Sequence, residues 1–324
     1  MAARPQPPGK PAAVPQRAAP AVAVVIPSLG RGALGPCLEA VAAIEPAPAR
    51  VIVVLSGPAG AAAPSGVEVV RCDRPLGFAP ACNLGIARAA GEVDRIAILN
   101  DDALPPPHWL EVLNRALDRD PALAAVQATV ADANGELVDG RGITLDRWAL
   151  PVQVDRGLPL AGESDAVHPV LAVSGTAALW RTTALAAVSS GPVAPFDPAF
   201  GSYHEDLDLG LRLGRLGWRS AWVGGAPARH LGSASGAAMR WRHPWWILAN
   251  RWRALAGNLT ARALLRSLPR LLRGELRAAR TLTRANPRAP LAAAATAAAW
   301  PWLVVAGWRR ATAGPRLTRL PEAP

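Results

Sequence analysis

Short apolar runs alternate with segments of helical periodicity in the first half of the chain. Runs typical of buried strands cover Ala21–Pro27, Val51–Leu55, Val67–Arg71, Arg95–Leu99 and Leu123–Val130. Between them, apolar side chains spaced three and four apart predict helices over Leu34–Ile44, Asn83–Ala90 and Trp109–Leu117. Strands that alternate with helices form mostly parallel sheets, because each crossover returns the chain to the same edge. We therefore expect an α/β fold whose mostly parallel, Rossmann-like sheet carries helices on both faces.

The pattern changes twice after this region. Residues 131–230 are rich in turns, with a helix predicted over Glu205–Leu216 and a strand over Ser220–Val223. From Arg262 to Arg280, Arg recurs every three or four residues between Leu side chains, which predicts a basic amphipathic helix interrupted at Pro269.

The segment Leu291–Trp308 contains no charged residue, and its length approaches that of a membrane span. Most of it is Ala, which is roughly neutral for insertion, and Pro301 interrupts it. We therefore expect a packed, interfacial or re-entrant helix rather than a span.

These patterns divide the chain into three parts. Residues 1–20 are rich in Pro and Ala and are expected to form a disordered tail. Residues 21–255 are expected to form the α/β domain, and residues 256–324 a basic helical extension that associates with a membrane. Removal of the chain after about Gly257 is accordingly expected to raise solubility.

The net charge of +11 is concentrated in the last part of the chain. From Leu231 onward, 16 Arg face only Glu275 and Glu322, a net charge of +14 that leaves −3 for the preceding residues. The basic part predicts an anionic partner, and its Leu-rich pattern favours an anionic membrane surface over nucleic acid. The three scattered Cys are too few for a disulfide framework or a zinc site, so we expect a cytoplasmic protein at the inner face of the membrane.

The first candidate for chemistry is Asn100-Asp101-Asp102, which directly follows a predicted strand. Ligands bind at the carboxyl ends of the strands in such sheets. Oxygen side chains concentrated there suit Mg²⁺ or Mn²⁺, either of which keeps coordination positions open for substrate phosphates. A turn after a strand would favour the same residue types.

Two further candidates lie in the turn-rich region. Glu205, Asp206 and Asp208 open a predicted helix, where the helix dipole favours carboxylates and where one of them could accept a proton from a hydroxyl. Capping together with an Asp208–Arg212 ion pair explains the same pattern without chemistry. His230 follows a predicted strand, and a lone His is more often a structural residue than a ligand.

A Gly-rich motif, Gly30–Gly35, matches the spacing of dinucleotide-binding loops. Such a site needs an acidic residue at the end of the second strand to hold the ribose, and Leu55-Ser56-Gly57 stands there instead. The sequence therefore disfavours a nicotinamide or flavin site.

Taken in order, these segments resemble the family 2 glycosyltransferases, in particular their bacterial rhamnosyltransferase-like branch. The resemblance covers roughly residues 21–255 and lies in the following segments: Val24-Val25-Ile26-Pro27, Leu76-Gly77-Phe78-Ala79-Pro80-Ala81-Cys82-Asn83-Leu84-Gly85, Ile98-Leu99-Asn100-Asp101-Asp102, Ser174-Gly175-Thr176-Ala177, Phe196-Asp197-Pro198-Ala199-Phe200, Glu205-Asp206, and His230 with Gly232 and Ser235. The chain departs from the family where Leu55-Ser56-Gly57-Pro58 replaces an Asp-Asn-x-Ser-type loop and where Pro75 replaces Asn.

This resemblance implies a GT-A fold and an inverting transfer of a sugar, such as rhamnose, from a nucleoside-diphosphate sugar to a glycan or lipid-linked acceptor. It implies a divalent metal, Mg²⁺ or Mn²⁺, held by Asp102 and His230. Asp206 would be the general base, and Glu205 would shape the acceptor site beside it. The other implied contacts are Pro27, Ser56, Gly77, Asn83, Asn100 and Asp101 to the donor, and Gly175 and Asp208 to the acceptor.

Two other functions remain open at this point. A sugar-phosphate nucleotidyltransferase has a similar sheet and metal site, but it uses a Gly-rich loop with Arg and Lys, and no Lys follows Lys10. A non-catalytic basic protein that binds nucleic acid or a membrane would explain the charged last part alone.

Overall fold

The computed structural model describes residues 19–30, 34–57, 65–161, 164–189, 194–232, 242–309 and 314–321. The predicted tail lies almost entirely outside the described residues, as do Arg31–Ala33 of the Gly-rich motif and Ser235.

Twelve strands are described: β1 (Val22–Ser28), β2 (Arg50–Leu55), β3 (Glu68–Arg71), β4 (Arg95–Leu99), β5 (Ala103–Leu104), β6 (Leu123–Ala131), β7 (Val138–Gly140), β8 (Ile143–Leu145), β9 (Pro151–Gln153), β10 (Val167–Val170), β11 (Ala177–Arg181) and β12 (Arg219–His230). The described helices are α1 (Leu34–Ala42), α2 (Phe78–Ala89), α3 (Trp109–Arg119), α4 (Thr182–Val188), α5 (Glu205–Arg215), α6 (Arg242–Asn258), α7 (Ala261–Ala285) and α8 (Ala289–Arg309), with a 3₁₀ turn at Pro198–Phe200.

One large sheet forms the centre of the protein, with the strand order β10-β12-β6-β11-β4-β1-β2-β3. The pairs β2–β3, β1–β2, β1–β4 and β6–β12 are parallel, whereas β11 runs antiparallel between β4 and β6. Strand β5 pairs with β12, strand β7 pairs with β6, and β8 and β9 form a separate hairpin. The expected mostly parallel sheet is therefore confirmed.

Apolar side chains cover both faces of this sheet. Helices α1 and α3 bury Cys37 and Trp109 on one face, and helices α2, α4 and α5 bury Ile86, Leu185 and Leu209 on the other. Helices on both faces explain why the central strands are apolar along their whole length rather than at alternate positions.

Two element boundaries differ from those that the sequence pattern predicted. Helix α2 begins at Phe78, earlier than the predicted Asn83, because Pro80 lies in its first turn, where a missing N–H breaks no helical hydrogen bond. Strand β12 continues past the predicted end at Val223 to His230, through an irregularity in its pairing with β6 between Val223 and Ala228.

The C-terminal helices form a third core with the β8–β9 hairpin. Trp252, Leu264, Leu271 and Leu303 are among its buried side chains. Arg251 is only 1% exposed and donates to the carbonyls of Ala149, Trp148 and Leu271, so it joins α6 and α7 to the hairpin. The predicted boundary between residues 255 and 256 falls inside α6.

The prediction that proline interrupts two helices is wrong, because α7 continues through Pro269 and α8 continues through Pro301. Among the described residues, α8 is the one helix long and apolar enough to cross a membrane, by length and composition alone. One side of α8 packs on α6, where a Cβ on Gly307 would lie 3.0 Å from the amide nitrogen of Gly257.

Candidate active site

A cleft of about 1220 Å³ opens at the carboxyl edge of the sheet. It is lined by ten of the twelve residues expected to form a site: Pro27, Ser56, Gly77, Asn100, Asp101, Asp102, Gly175, Glu205, Asp206 and His230. These residues are far apart in the chain, so the topology of the sheet brings them together.

The ends of three adjacent parallel strands form the first half of this cleft. Strands β2, β1 and β4 end side by side, so Ser56, Ser28 and Asp101 meet at one edge. The hydroxyl of Ser28 donates to Asp101 Oδ2 at 2.6 Å and accepts from the amide of Gly30. Burial and the nearby charge of Asp102 raise the pKa of Asp101, and the Ser28 hydrogen bond opposes that rise.

His230 lies between two carboxylates in the second half of the cleft. Its Nδ1 lies 2.8 Å from Asp139 Oδ2 and its Nε2 lies 3.1 Å from Asp102 Oδ1. Burial alone would lower the pKa of His230, but the two carboxylates outweigh it and raise the pKa to about 9. The carboxylates therefore favour a positive charge at this point.

The pair formed by His230 and Asp102 fits a divalent cation. Nε2 of His230 is buried and, despite its closeness to Asp102, has no hydrogen-bond partner of good geometry among the described residues. Imidazole nitrogen and carboxylate oxygen are both ligands of Mn²⁺-type ions, which complete their shell with water and substrate phosphate. No group of three or more His, Cys, Asp or Glu side chains in the described parts of the chain is arranged to hold a metal without such added ligands.

Glu205 and Asp206 face the same cleft from the first turn of α5. Asp206 is partly exposed, and its carboxylate accepts hydrogen bonds from the backbone N–H groups of Leu207 and Gly175. Burial nevertheless raises the pKa of Asp206 to about 6. Glu205 is only 5% exposed, and burial together with the charge of Asp206 raises its pKa well above the usual range. Burial therefore disfavours the charged form of Glu205, whereas Asp206, with its backbone N–H partners, is ionised at neutral pH.

Two glycines allow the close contacts that shape this side of the cleft. A Cβ on Gly77 would lie 2.4 Å from the carbonyl oxygen of Gly201, at the turn that leads into α5. A Cβ on Gly175 would lie 2.6 Å from the ring of Phe78. Larger residues at either position would push the start of α2 away from the acid pair.

The structure corrects two of the expected contacts. Asn83 was expected to contact the donor, but both ends of its amide bind the backbone of Phe196 and it lies outside the cleft. Asp208 was expected to contact the acceptor, but it is fully buried, ion-paired with Arg212 at 2.8 Å and hydrogen-bonded by Asn258. Two residues correspond to about 200° of rotation around α5, so Asp208 points away from the cleft and into the protein.

Sequence reasoning missed several cleft residues, including Ser28, Asp139 and Arg156. Asp139 and Arg156 belong to short strands and turns with no periodic pattern, and no local signal connects either of them to His230. Ser28 lies one residue beyond the predicted strand Ala21–Pro27, and no sequence pattern connects it to Asp101.

A mostly parallel sheet with helices on both faces and an acidic cleft at its carboxyl edge is the architecture of the GT-A glycosyltransferases, and this protein is one of them. Residues 19–251 match the family model described as "Glycosyltransferase like family 2", so the chain belongs to that family. Family membership favours sugar transfer from a nucleotide sugar over nucleotidyl transfer and over a non-catalytic basic protein.

Among curated proteins, the chain is 28% identical over 248 residues to an N-acetylglucosaminyl-diphospho-decaprenol L-rhamnosyltransferase from two strains of Mycobacterium tuberculosis. This match covers 63% of the chain and 75% of the relative. The resemblance to the rhamnosyltransferase-like branch is therefore confirmed.

Two solved structures share the fold. GalNAc-T7 with UDP, GalNAc and Mn²⁺ superposes with a TM-score of 0.56 at 15% identity, over 76% of this chain and 49% of that one. The present chain thus matches about half the length of that enzyme. Mannosyltransferase PcManGT from Pyrobaculum calidifontis, in complex with GDP-Man and Mn²⁺, gives a TM-score of 0.51 at 19% identity, over 89% and 79% of the two chains.

Proposed function

We propose that this enzyme transfers a sugar with inversion from a nucleoside-diphosphate sugar to a hydroxyl of a glycan or lipid-linked acceptor. The observation that carries the proposal is one cleft with a cation-favouring pair, Asp102 and His230, on the sheet side and an ionised carboxylate, Asp206, on the α5 side. The leaving diphosphate would bind on the first side and the acceptor hydroxyl on the second. A single displacement needs these two functions and no nucleophile from the enzyme.

Asp206 is the proposed general base. Its two backbone hydrogen bonds fix the carboxylate while leaving it partly exposed to the cleft. A pKa of about 6 keeps it ionised at neutral pH yet makes it a stronger base than an ordinary Asp. Glu205, which is buried beside Asp206, would shape the acceptor site rather than remove a proton.

Asp102 and His230 are the proposed holders of a divalent cation, Mg²⁺ or Mn²⁺. Bound there, the cation would neutralise the charge that develops on the diphosphate leaving group. The Mn²⁺ in the two structural neighbours and the unpartnered Nε2 of His230 support this assignment. The same part of the cleft suits contacts to the nucleotide and is lined by Pro27, Ser56, Gly77, Asn100 and Asp101. The backbone N–H of Gly175 would hold the general base, Asp206, near the acceptor.

The acceptor is proposed to be lipid-linked, and the enzyme to work as a peripheral protein at the inner face of the cell membrane. The relative's name specifies a sugar-diphospho-decaprenol acceptor and L-rhamnose as the transferred sugar. The basic helix α7 also exposes Leu265, Leu272 and Leu276, a surface suited to an anionic membrane.

The proposal is tested with a panel of nucleotide sugars that includes dTDP-L-rhamnose, with Mg²⁺ or Mn²⁺ and a short-chain prenyl-diphosphate glycan as acceptor. Release of nucleoside diphosphate and formation of glycosylated product are measured together. We expect Asp102→Ala and Asp206→Asn each to lower kcat about 100-fold or more, with donor binding retained in Asp206→Asn. Asp155→Asn, which removes a carboxylate outside the cleft, is the control. Wild-type rates in both cleft variants would overturn the proposal.

A further inference from the structure

The imidazole of His230 has a second carboxylate partner that the reaction itself does not require. Nδ1 lies 2.8 Å from Oδ2 of Asp139, on the side of the ring away from Asp102. We propose that Asp139 is a positioning residue, which fixes the ring and the tautomer of His230 so that Nε2 faces Asp102. This inference rests on the proposed metal site.

The backbone holds Asp139 and His230 on two strands that flank β6. Strand β7 pairs antiparallel with the end of β6, where Ala131 faces Val138. Strand β12 pairs with the other edge of β6, where the same Ala131 faces Arg229, the neighbour of His230. Because β7 and β12 are both hydrogen-bonded to β6, the side chains of Asp139 and His230 meet beyond the end of that strand.

The second oxygen of Asp139 is occupied as well. Arg156 donates to Asp139 Oδ1 at 2.9 Å from the turn that follows β9. An ionised carboxylate with one oxygen held by Arg156 presents the other oxygen to His230 as an acceptor in a fixed direction.

The chemical consequence concerns which nitrogen of the ring carries the proton. A carboxylate accepts only, so Nδ1 must donate to Asp139, and the lone pair of the neutral ring then resides on Nε2. Without Asp139, the ring could turn over or carry its proton on Nε2, and either change removes a metal ligand. Carboxylate partners of ligating His typically contribute about 10–100-fold to metal affinity.

A purely structural Asp139–His230 link predicts a different result. Loss of such a link would lower the thermal midpoint of unfolding but would leave Mn²⁺ affinity of the folded protein unchanged. Metal affinity therefore separates the two roles, and activity alone does not.

The experiment measures Mn²⁺ binding to the full chain by electron paramagnetic resonance of free Mn²⁺, with nucleoside diphosphate present. We expect Asp139→Ala to weaken Mn²⁺ affinity about 10–100-fold. Asp139→Asn should cause a smaller loss, because its side-chain oxygen still accepts from Nδ1–H. Excess Mn²⁺ should restore most of the turnover in both variants.

Asp155→Asn is the matched control, since it breaks the nearby ion pair with Arg141 without touching His230. Its Mn²⁺ affinity should equal that of the wild type, and Arg156→Gln should fall between it and Asp139→Asn. Wild-type Mn²⁺ affinity in a folded Asp139→Ala or Asp139→Asn protein would overturn the inference. Failure of the metal proposal itself looks different, because the wild type with nucleotide would then bind no more Mn²⁺ than the nucleotide alone.

Discussion

Burial separates the chemistry of two neighbouring carboxyl groups at the start of α5. Glu205 has an oxygen that is buried and has no hydrogen-bond partner among the described residues, so its charged form is strongly disfavoured. Asp206 receives two backbone N–H groups, which offset part of the same penalty. The charged form is thus disfavoured more at Glu205 than at Asp206, because backbone amides solvate the carboxylate of Asp206 and the buried oxygen of Glu205 has no such partner.

The pKa of Asp206 predicts the acidic limb of the pH–rate profile. A base must be unprotonated, and burial raises the pKa of this carboxyl to about 6, so kcat/KM should fall roughly tenfold per pH unit below about 6. The measurement is initial rate against pH at subsaturating acceptor, with saturating metal. In Asp206→Asn the residual rate should be flat across this range, and a persistent limb near pH 6 would assign the titration to another group.

At the scale of elements, helix α6 determines where the acid pair points. Three residues in the turn before α5 have positive φ: Gly201, Tyr203 and His204. This backbone conformation costs energy at the two non-Gly positions. Asn250 on α6 is fully buried, and its amide donates to the carbonyls of Phe200, Ser202 and Tyr203. The strained turn is therefore held by a helix that follows the catalytic motifs in the chain.

Replacement of Asn250 should damage the site from a distance. Asn250→Ala leaves three carbonyls without this donor, so we expect a loss of about 1–3 kcal/mol in the free energy of unfolding and a kcat reduction that exceeds the fraction unfolded. Chemical denaturation and kcat are measured on the same preparations.

Asn258→Ala is the comparison for this prediction, because Asn258 is equally buried on α6 but binds Asp208 rather than the turn. It should lose stability while keeping most of its kcat. Equal kcat values in the two variants would show that the turn does not depend on Asn250.

At the scale of the whole molecule, the C-terminal helices have one face in the core and one face exposed. Truncation after Gly257 would uncover Trp252 and Leu255, which α7 and α8 help to bury. The structure thus predicts lower solubility on truncation, the opposite of the expectation from the sequence. Point substitutions on α7 are therefore the better test of membrane binding.

The outward surface of α7 is arranged in stripes that suit a lipid headgroup layer. At about 100° per residue, Leu265, Leu272 and Leu276 lie within about 40° of one another, and they are 67%, 49% and 60% exposed. An adjacent sector of about 60° carries the exposed arginines Arg262, Arg266, Arg273, Arg277, Arg280 and Arg284. The carboxylates of the described residues form no ion pair with these arginines, so their charge is available to anionic lipid.

We expect the wild type to sediment with vesicles that contain phosphatidylglycerol and not with pure phosphatidylcholine. A triple Leu-to-Ser variant at residues 265, 272 and 276 should lose this binding while keeping turnover on a soluble acceptor. Replacement of Arg266, Arg273 and Arg277 by Gln should weaken it about fivefold per residue.

A matched variant controls for the loss of exposed leucine in general. It changes Leu84, Leu137 and Leu158, which are exposed elsewhere, and it should bind vesicles as the wild type does. Light scattering after size-exclusion chromatography tests whether the exposed leucines of α7 form a dimer interface instead. A wild-type dimer that the α7 triple variant converts to a monomer, without vesicle binding, would refute the membrane surface.

Sequence alone determined the α/β class and the principal motifs of the site, because both depend on local order along the chain. Apolar periodicity set the first strands and helices, and the succession of short motifs from Pro27 to His230 carried the family resemblance. Pro269 and Pro301 misled the same reasoning, since packing of the buried face kept both helices continuous.

Only the tertiary structure decided which polar residues share the cleft. Asp208 and Asp206 are two positions apart, yet helical rotation buries one and leaves the other facing the cleft. Asp139 has no local signal and reaches His230 only because β7 and β12 flank the same strand. Periodicity depends on neighbours in sequence, whereas burial, pKa and hydrogen bonding depend on neighbours in space, and the second set exists only once the sheet has formed.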